Sequence, residues 1–173
     1  MTGPLSDVTV IDLTQVLSGP YATMLLADMG ADVIKVEPPR GDVSRAWGPH
    51  LDDEPDTASY GGYFASVNRN KRSVVLDLRT DEGVAGLHRL LAGADVIVEN
   101  FRIRVMERLG FDYETVHAAY PHLVYASIRG FGDPRTGESP YADWPAFDII
   151  AQAMGGVLSV TGSRPDDVTK VGP

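Results

Sequence analysis

Residues 8–39 read VTVIDLTQVLSGPYATMLLADMGADVIKVEPP, and the reading of this stretch decides the fold. Val8 to Leu13 is a β-branched run that turns polar at its end, the pattern of a buried strand. Ser18-Gly19-Pro20 then offers an N-cap candidate and a proline tolerated in a first turn. A helix follows from Tyr21 to Met29, with Leu25, Leu26 and Met29 at helical spacing. Gly30 closes that helix, and Ala31 to Glu37 forms a second strand, stopped by Pro38 and Pro39. Strand, short helix and strand within about thirty residues make a βαβ unit.

The pattern recurs outward from this unit. Ser73 to Leu78 is predicted as a strand, Thr80 to Leu91 as a helix, and Ala94 to Glu99 as another strand. Val105 to Leu109 and Tyr113 to Ala119 are predicted helical, Leu123 to Ile128 makes a fifth strand, and Ala146 to Val160 is a last helical stretch weakened at Gly155-Gly156. Strands apolar on both faces and separated by helices predict an α/β fold, with a mostly parallel sheet covered by helices on both faces. Right-handed crossovers then gather the strand C-terminal ends along one edge, where ligands of open sheets bind. Residues 42–60 and 132–144, rich in Pro, Asp and Gly, read as long loops, which in a compact domain are more often functional or partner-covered than idle.

The chain has 173 residues, 43% of them hydrophobic, enough for a sizeable core. It has no apolar run of about 18 residues, and Met1 to Asp7 lacks a signal-peptide pattern, so a cytoplasmic protein without a membrane partner is expected. The absence of cysteine excludes disulfides and thiolate sites from these residues. A net charge of −9 argues against a nucleic-acid partner but leaves room for one anionic ligand met by converging Arg and Lys. His50, His88, His117 and His122 lack metal-site spacing, and no metal is expected.

Each candidate site has a bland alternative. The turn Thr14 to Pro20 carries a single glycine, which disfavours a tightly held dinucleotide pyrophosphate; it is either an ordinary capped turn or one whose free N–H groups face a ligand. Arg40, held behind Pro38-Pro39, is an anion contact or a solvated loop charge. Asn68 to Ser73 is the densest basic patch, a solvated lead-in or a contact for phosphate or a neighbouring subunit. Asn100-Phe101 at a strand end suits adenine or pantetheine recognition, or Phe101 fills core, while Arg104 and Arg108 share a helical face. Asp148, in an otherwise apolar segment, is a helix N-cap or a site carboxylate.

Four segments carry a resemblance: residues 10–42, VIDLTQVLSGPYATMLLADMGADVIKVEPPRGD; residues 68–78, NRNKRSVVLDL; ADVIVENFR at 94–102 with MERLGFDY at 106–113; and AFDIIAQAMGGVLSVTG at 146–162. Together they resemble the class III CoA-transferase family, which includes formyl-CoA transferase, carnitine CoA-transferase and α-methylacyl-CoA racemase. The resemblance implies that residues 1–173 are the amino-terminal part of a Rossmann-like large domain in an interlocked homodimer, with the small domain and the return segment lying beyond. It places Gln15, Val16, Leu17 and Ser18 along the CoA and substrate cleft, and Leu76, Asn100, Phe101, Arg108 and Leu109 at CoA-contacting positions. Pro38 replaces a family arginine, for which Arg40 stands in.

The resemblance further implies CoA transfer from an acyl-CoA donor to a carboxylic acid through an aspartyl intermediate. The nucleophilic aspartate is expected just beyond Pro173, and residues 1–173 alone are expected to be inactive. CoA enters as substrate, and no tightly bound cofactor is implied. Asp148 matches a supporting acidic position. Phe147 stands where racemases carry histidine and disfavours proton abstraction there. The alternatives are a racemase-like enzyme and a non-catalytic CoA-binding or subunit-interaction module.

Overall fold

The computed structural model describes residues 3–50, 60–164 and 166–172. The chain divides into two compact units, Met1–Ile128 and Arg129–Pro173.

The first unit runs β1 (Thr9–Asp12), α1 (Ser18–Asp28), β2 (Asp32–Glu37), a 3-10 turn (Val43–Ala46), α2 (Gly62–Asn68), β3 (Arg72–Val75), α3 (Asp81–Leu91), β4 (Val96–Glu99), α4 (Val105–Leu109), α5 (Tyr113–Ala119) and β5 (Val124–Ser127). The five strands form one parallel sheet in the order β3-β2-β1-β4-β5. β1 therefore lies at the centre, and the topological switch point falls between the C-terminal ends of β1 and β4. Both faces are covered. Ile11, Leu13 and Ile97 point into a core with Leu87, Leu91, Met106, Phe111 and Val116 of the α3–α5 side, while the alternating residues Val10, Val33 and Val98 meet Ala27 of α1 on the other.

Several expectations are corrected here. Leu17, not Ser18, is the N-cap of α1; it makes no side-chain cap, and Ser18 and Pro20 already lie in the first turn. β3 ends at Val75, so Leu76 to Leu78 fall outside the strand. Its partner β2 ends at Glu37 because Pro38 and Pro39 have no N–H for a ladder, and only Leu76 N–H to the Glu37 carbonyl (2.9 Å) extends the pairing. β3 is also an edge strand and mostly exposed, unlike the predicted strands apolar on both faces. The segment read as a loop from Asp42 to Tyr60 contains the 3-10 turn, capped by the Asp42 side chain; Leu51 to Ser59 lie outside the described residues. The sequence reading misses α2, whose Phe64 and Val67 are buried.

The second unit holds a turn-rich stretch, α6 (Asp148–Met154) and a 3-10 turn (Val157–Val160), split by Gly156 at φ 81°. Within it, Phe131, Tyr141 and Trp144 form an aromatic cluster with centroid separations of 4.9–6.5 Å.

Candidate functional site: the open edge of the parallel sheet

The turn between β1 and α1 has its main chain held by side chains from four directions. Thr14 N–H donates to Asp12 Oδ1 (2.9 Å), and the Thr14 carbonyl accepts from Lys35 Nζ (2.7 Å). Gln15 makes a reciprocal pair with Asn100: its N–H donates to Asn100 Oδ1 (2.9 Å), and its carbonyl accepts from Asn100 Nδ2 (2.8 Å). Val16 N–H faces both Asp42 oxygens at 3.3 Å. Val16 itself is left-handed, at φ 73°. A β-branched residue pays about 1–3 kcal/mol for that conformation and keeps it only where its surroundings over-determine it.

This geometry narrows two expectations. The N–H groups of Thr14, Gln15 and Val16 donate within the chain, so the reading of N–H groups that face a ligand rests on the start of α1, from Leu17 to Gly19. The Asn100 carboxamide is committed at both ends to the Gln15 main chain, which makes it the bridge across the switch point between β1 and β4.

Beneath the turn lies a set of buried charges that the sequence reading misses. Lys71 pairs with Asp12 and Lys35 with Asp42, each at 3.0 Å, with all four side chains almost fully buried. Arg45 forks onto Glu37 through Nε and Nη2, both at 2.7 Å, and its guanidinium lies 3.8 Å from the Phe64 ring centroid. Three acids thus meet three bases, the condition under which charges tolerate burial. Burial alone would push the Asp12 carboxyl up, but the Lys35 and Lys71 ammoniums and the Thr14 and Thr23 hydroxyls outweigh it and hold it below its ordinary value. Burial likewise opposes ionisation of Glu37, yet hydrogen bonds from Arg45, Ser73 and the Asp42 N–H bring it down to about 2. Lys71 is lowered by burial, which Asp12 offsets only in part. The signal was present in the sequence: Asp12 between Ile11 and Leu13, and Lys35 between Ile34 and Val36, are charges inside apolar strands and need partners.

In the basic patch from Asn68 to Ser73, Arg69 and Arg72 are exposed, as in a solvated lead-in, while Lys71 turns inward. Arg69 pairs with Asp28, Lys71 with Asp12 and Arg72 with Asp32, so its three cations are engaged within the chain. Arg40, by contrast, is exposed and lines an open cleft of about 930 Å³ with Gln15, Arg45, Tyr60 and Val75, at the carboxyl ends of β2 and β3. Leu76, Phe101 and Leu109 are half-buried and pack against the main core. Arg108 is exposed in the last turn of α4. Arg104 does not share its helical face as expected: it is the left-handed N-cap of α4, at φ 65°. Leu17 is half-buried and Ser18 exposed at the start of α1.

In the second unit, Asp148 is exposed and opens α6. The N-cap is Phe147, so the cap alternative for Asp148 is set aside. Its carboxylate accepts from Gln152 Nε2. Gln152 also grips the Val171 main chain, donating to its carbonyl and accepting its N–H at 2.9 Å. Gln152, another residue absent from the sequence reading, thereby ties Asp148 to the segment 170–172. Among the described residues no group of three or more His, Asp or Glu is placed to hold a metal ion, and no helix is long and apolar enough to cross a membrane.

Comparison with known proteins adds the following. The family model described as CoA-transferase family III matches residues 5–173. Succinyl-CoA:mesaconate CoA-transferase of Haloarcula hispanica is 57% identical over 171 residues, covering 99% of this chain and 43% of the relative. Succinate–glutarate CoA-transferase of Agrobacterium fabrum is 47% identical over 98% of this chain and 42% of its own length. The chain thus spans less than half the length of these relatives. Among solved structures, a CAIB/BAIF family protein from Brucella suis superposes with a TM-score of 0.89 at 41% identity, covering 100% of this chain and 44% of that one. A fold match over the full chain, a family match from residue 5 onward and this level of identity converge: the chain belongs to CoA-transferase family III.

Proposed function

We propose that the full-length protein containing this chain transfers CoA from an acyl-CoA to a carboxylic acid, with residues 1–173 forming the amino-terminal part of its large CoA-binding domain. The observation that carries the reading is the 57% identity over 99% of the chain to a succinyl-CoA:mesaconate CoA-transferase. Succinate or succinyl-CoA also appears in the names of the Agrobacterium fabrum relative and a human one. We therefore take succinyl-CoA as donor and a five-carbon dicarboxylate as acceptor.

In this reading CoA lies along the open edge: Gln15 to Ser18 line the cleft, Asn100 acts by fixing Gln15, and the exposed Arg40 meets a phosphate of the ligand. Leu76, Phe101 and Leu109 give the apolar side of the contact, with Arg108 beside them. A carboxylate beyond residue 173 attacks the donor thioester, expelling CoA thiolate and leaving a mixed anhydride. The thiolate attacks the enzyme's carbonyl, releasing the donor acid and forming an enzyme thioester. The acceptor carboxylate attacks that thioester and releases the thiolate, which then takes the acceptor acyl group and frees the enzyme carboxylate. Asp148 supports this chemistry as an orienting carboxylate. The active species is a cytoplasmic homodimer, and residues 1–173 alone do not turn over.

Incubating the full-length protein with succinyl-CoA and mesaconate or glutarate tests the reading. Exchange of CoA, with a hydroxylamine-sensitive adduct on the enzyme, is the expected result. No exchange and no adduct across a broad panel of acids contradicts it.

A further inference from the structure

Parallel α/β sheets commonly seat an anion at the turn after the first strand, because main-chain N–H groups and a helix N-terminus converge there. In this chain one N–H of that turn, that of Val16, meets an internal anion. The Asp42 carboxylate, 1% exposed and carried on the loop after β2, faces the Val16 N–H with both oxygens at 3.3 Å. Ser44 adds its N–H at 3.0 Å and its hydroxyl at 2.8 Å, and Lys35 its ammonium at 3.0 Å. Four donors therefore converge on one internal anion. Its own loop is fixed in turn, since the Asp42 N–H donates to Glu37 Oε2 (2.9 Å), the carboxylate that holds Arg45.

Capping the Val43–Ala46 turn accounts for Ser44 but not for Val16, whose left-handed conformation a valine resists. We propose that Asp42, with Lys35 behind it, is a positioning residue: it fills the anion seat of the β1–α1 turn and holds Val16 left-handed, so that Gln15 to Ser18 are presented to CoA while no phosphate enters the turn. The cause stands on the geometry; the consequence for CoA rests on the function proposed above.

The test uses the full-length protein, with CoA affinity read by calorimetry and stability by thermal melting. D42A weakens CoA binding by about tenfold, the scale of one lost charge-assisted contact. Formate, small enough for the vacated seat, restores most of that loss saturably and raises the melting temperature of D42A; pivalate at equal ionic strength does neither. In the V16G background the D42A loss falls below about threefold, because glycine needs no tether at positive φ. An unchanged CoA affinity in D42A overturns the proposal, and so does a loss of equal size with and without V16G. If D42A does not accumulate in folded form, D42N carries the test, since it keeps the shape but not the charge that holds Lys35. A loss that V16G reduces then supports the proposal, and wild-type affinity overturns it. Should the wild type itself not bind CoA, the functional reading fails alone, while a melting temperature of D42A indifferent to formate still overturns the anion seat.

Discussion

Lys71, just ahead of β3, reaches Asp12 at the end of β1, and its ammonium also donates to the Pro20 carbonyl and Asn68 Oδ1, at 2.8 Å each. K71M removes one partner of a buried pair and leaves Asp12 with Lys35 and two hydroxyls, so a loss of about 3 kcal/mol in urea unfolding is expected. Glu37 gives a pH signature. Its folded value, about 2, lies below its ordinary 4.5, so the stability it contributes is complete above the unfolded value and is lost as pH falls from about 4.5 toward 2. R45M should lose less stability than the wild type across that acid window. At this scale the sequence was legible only in part. Arg40 is exposed at the cleft, a position that fits both the anion contact and the solvated loop charge read from its prolines. Asp42 and Lys35 read as loop and strand residues because their pairing crosses from one chain segment to another, and spacing along a sequence does not report that distance.

At the scale of elements, local chemistry was informative wherever it was self-contained. Thr80 accepts from the Gly83 N–H (3.1 Å) and starts α3, and Asp112 accepts from the Thr115 N–H (3.0 Å) and starts α5; both helices lie in the stretches expected to be helical. The short helix α2 has no such marks. Its sequence GYFASVN opens on glycine and has no side-chain cap, and what holds it is the burial of Phe64 and Val67. Packing of that kind is invisible until α1 is in place beside it. α3 also supplies a test of close approach. A Cβ at Gly83 would lie 2.0 Å from the Asp77 carbonyl oxygen, a main-chain atom that cannot swing aside. G83A should therefore cost about 1–3 kcal/mol in denaturant unfolding, despite alanine's better helix propensity. A neutral or stabilising result would mean that the Asp77–Thr80 turn shifts freely against the helix.

For the whole molecule, the order β3-β2-β1-β4-β5 puts the carboxyl ends of β1 and β4 side by side, and the Gln15–Asn100 pair closes that crevice at main-chain level. The parallel α/β class followed from the repeated βα pattern alone. The site did not, because this fold grips its first turn with buried side chains where a dinucleotide fold uses glycines. Truncation tests the proposal that residues 1–173 belong to a larger shared fold. Isolated, they should self-associate or melt without a sharp transition, since Tyr21, Leu25 and Met29 of the α1 region leave apolar surface exposed; a sharp monomeric two-state melt would contradict it. The most direct measurement of the central claim is CoA exchange by the full-length protein in deuterated water, with succinyl-CoA and a dicarboxylic acceptor. Transfer of CoA to the acceptor without incorporation of deuterium at the α-carbon is the predicted result, whereas α-deuteration without transfer would contradict it.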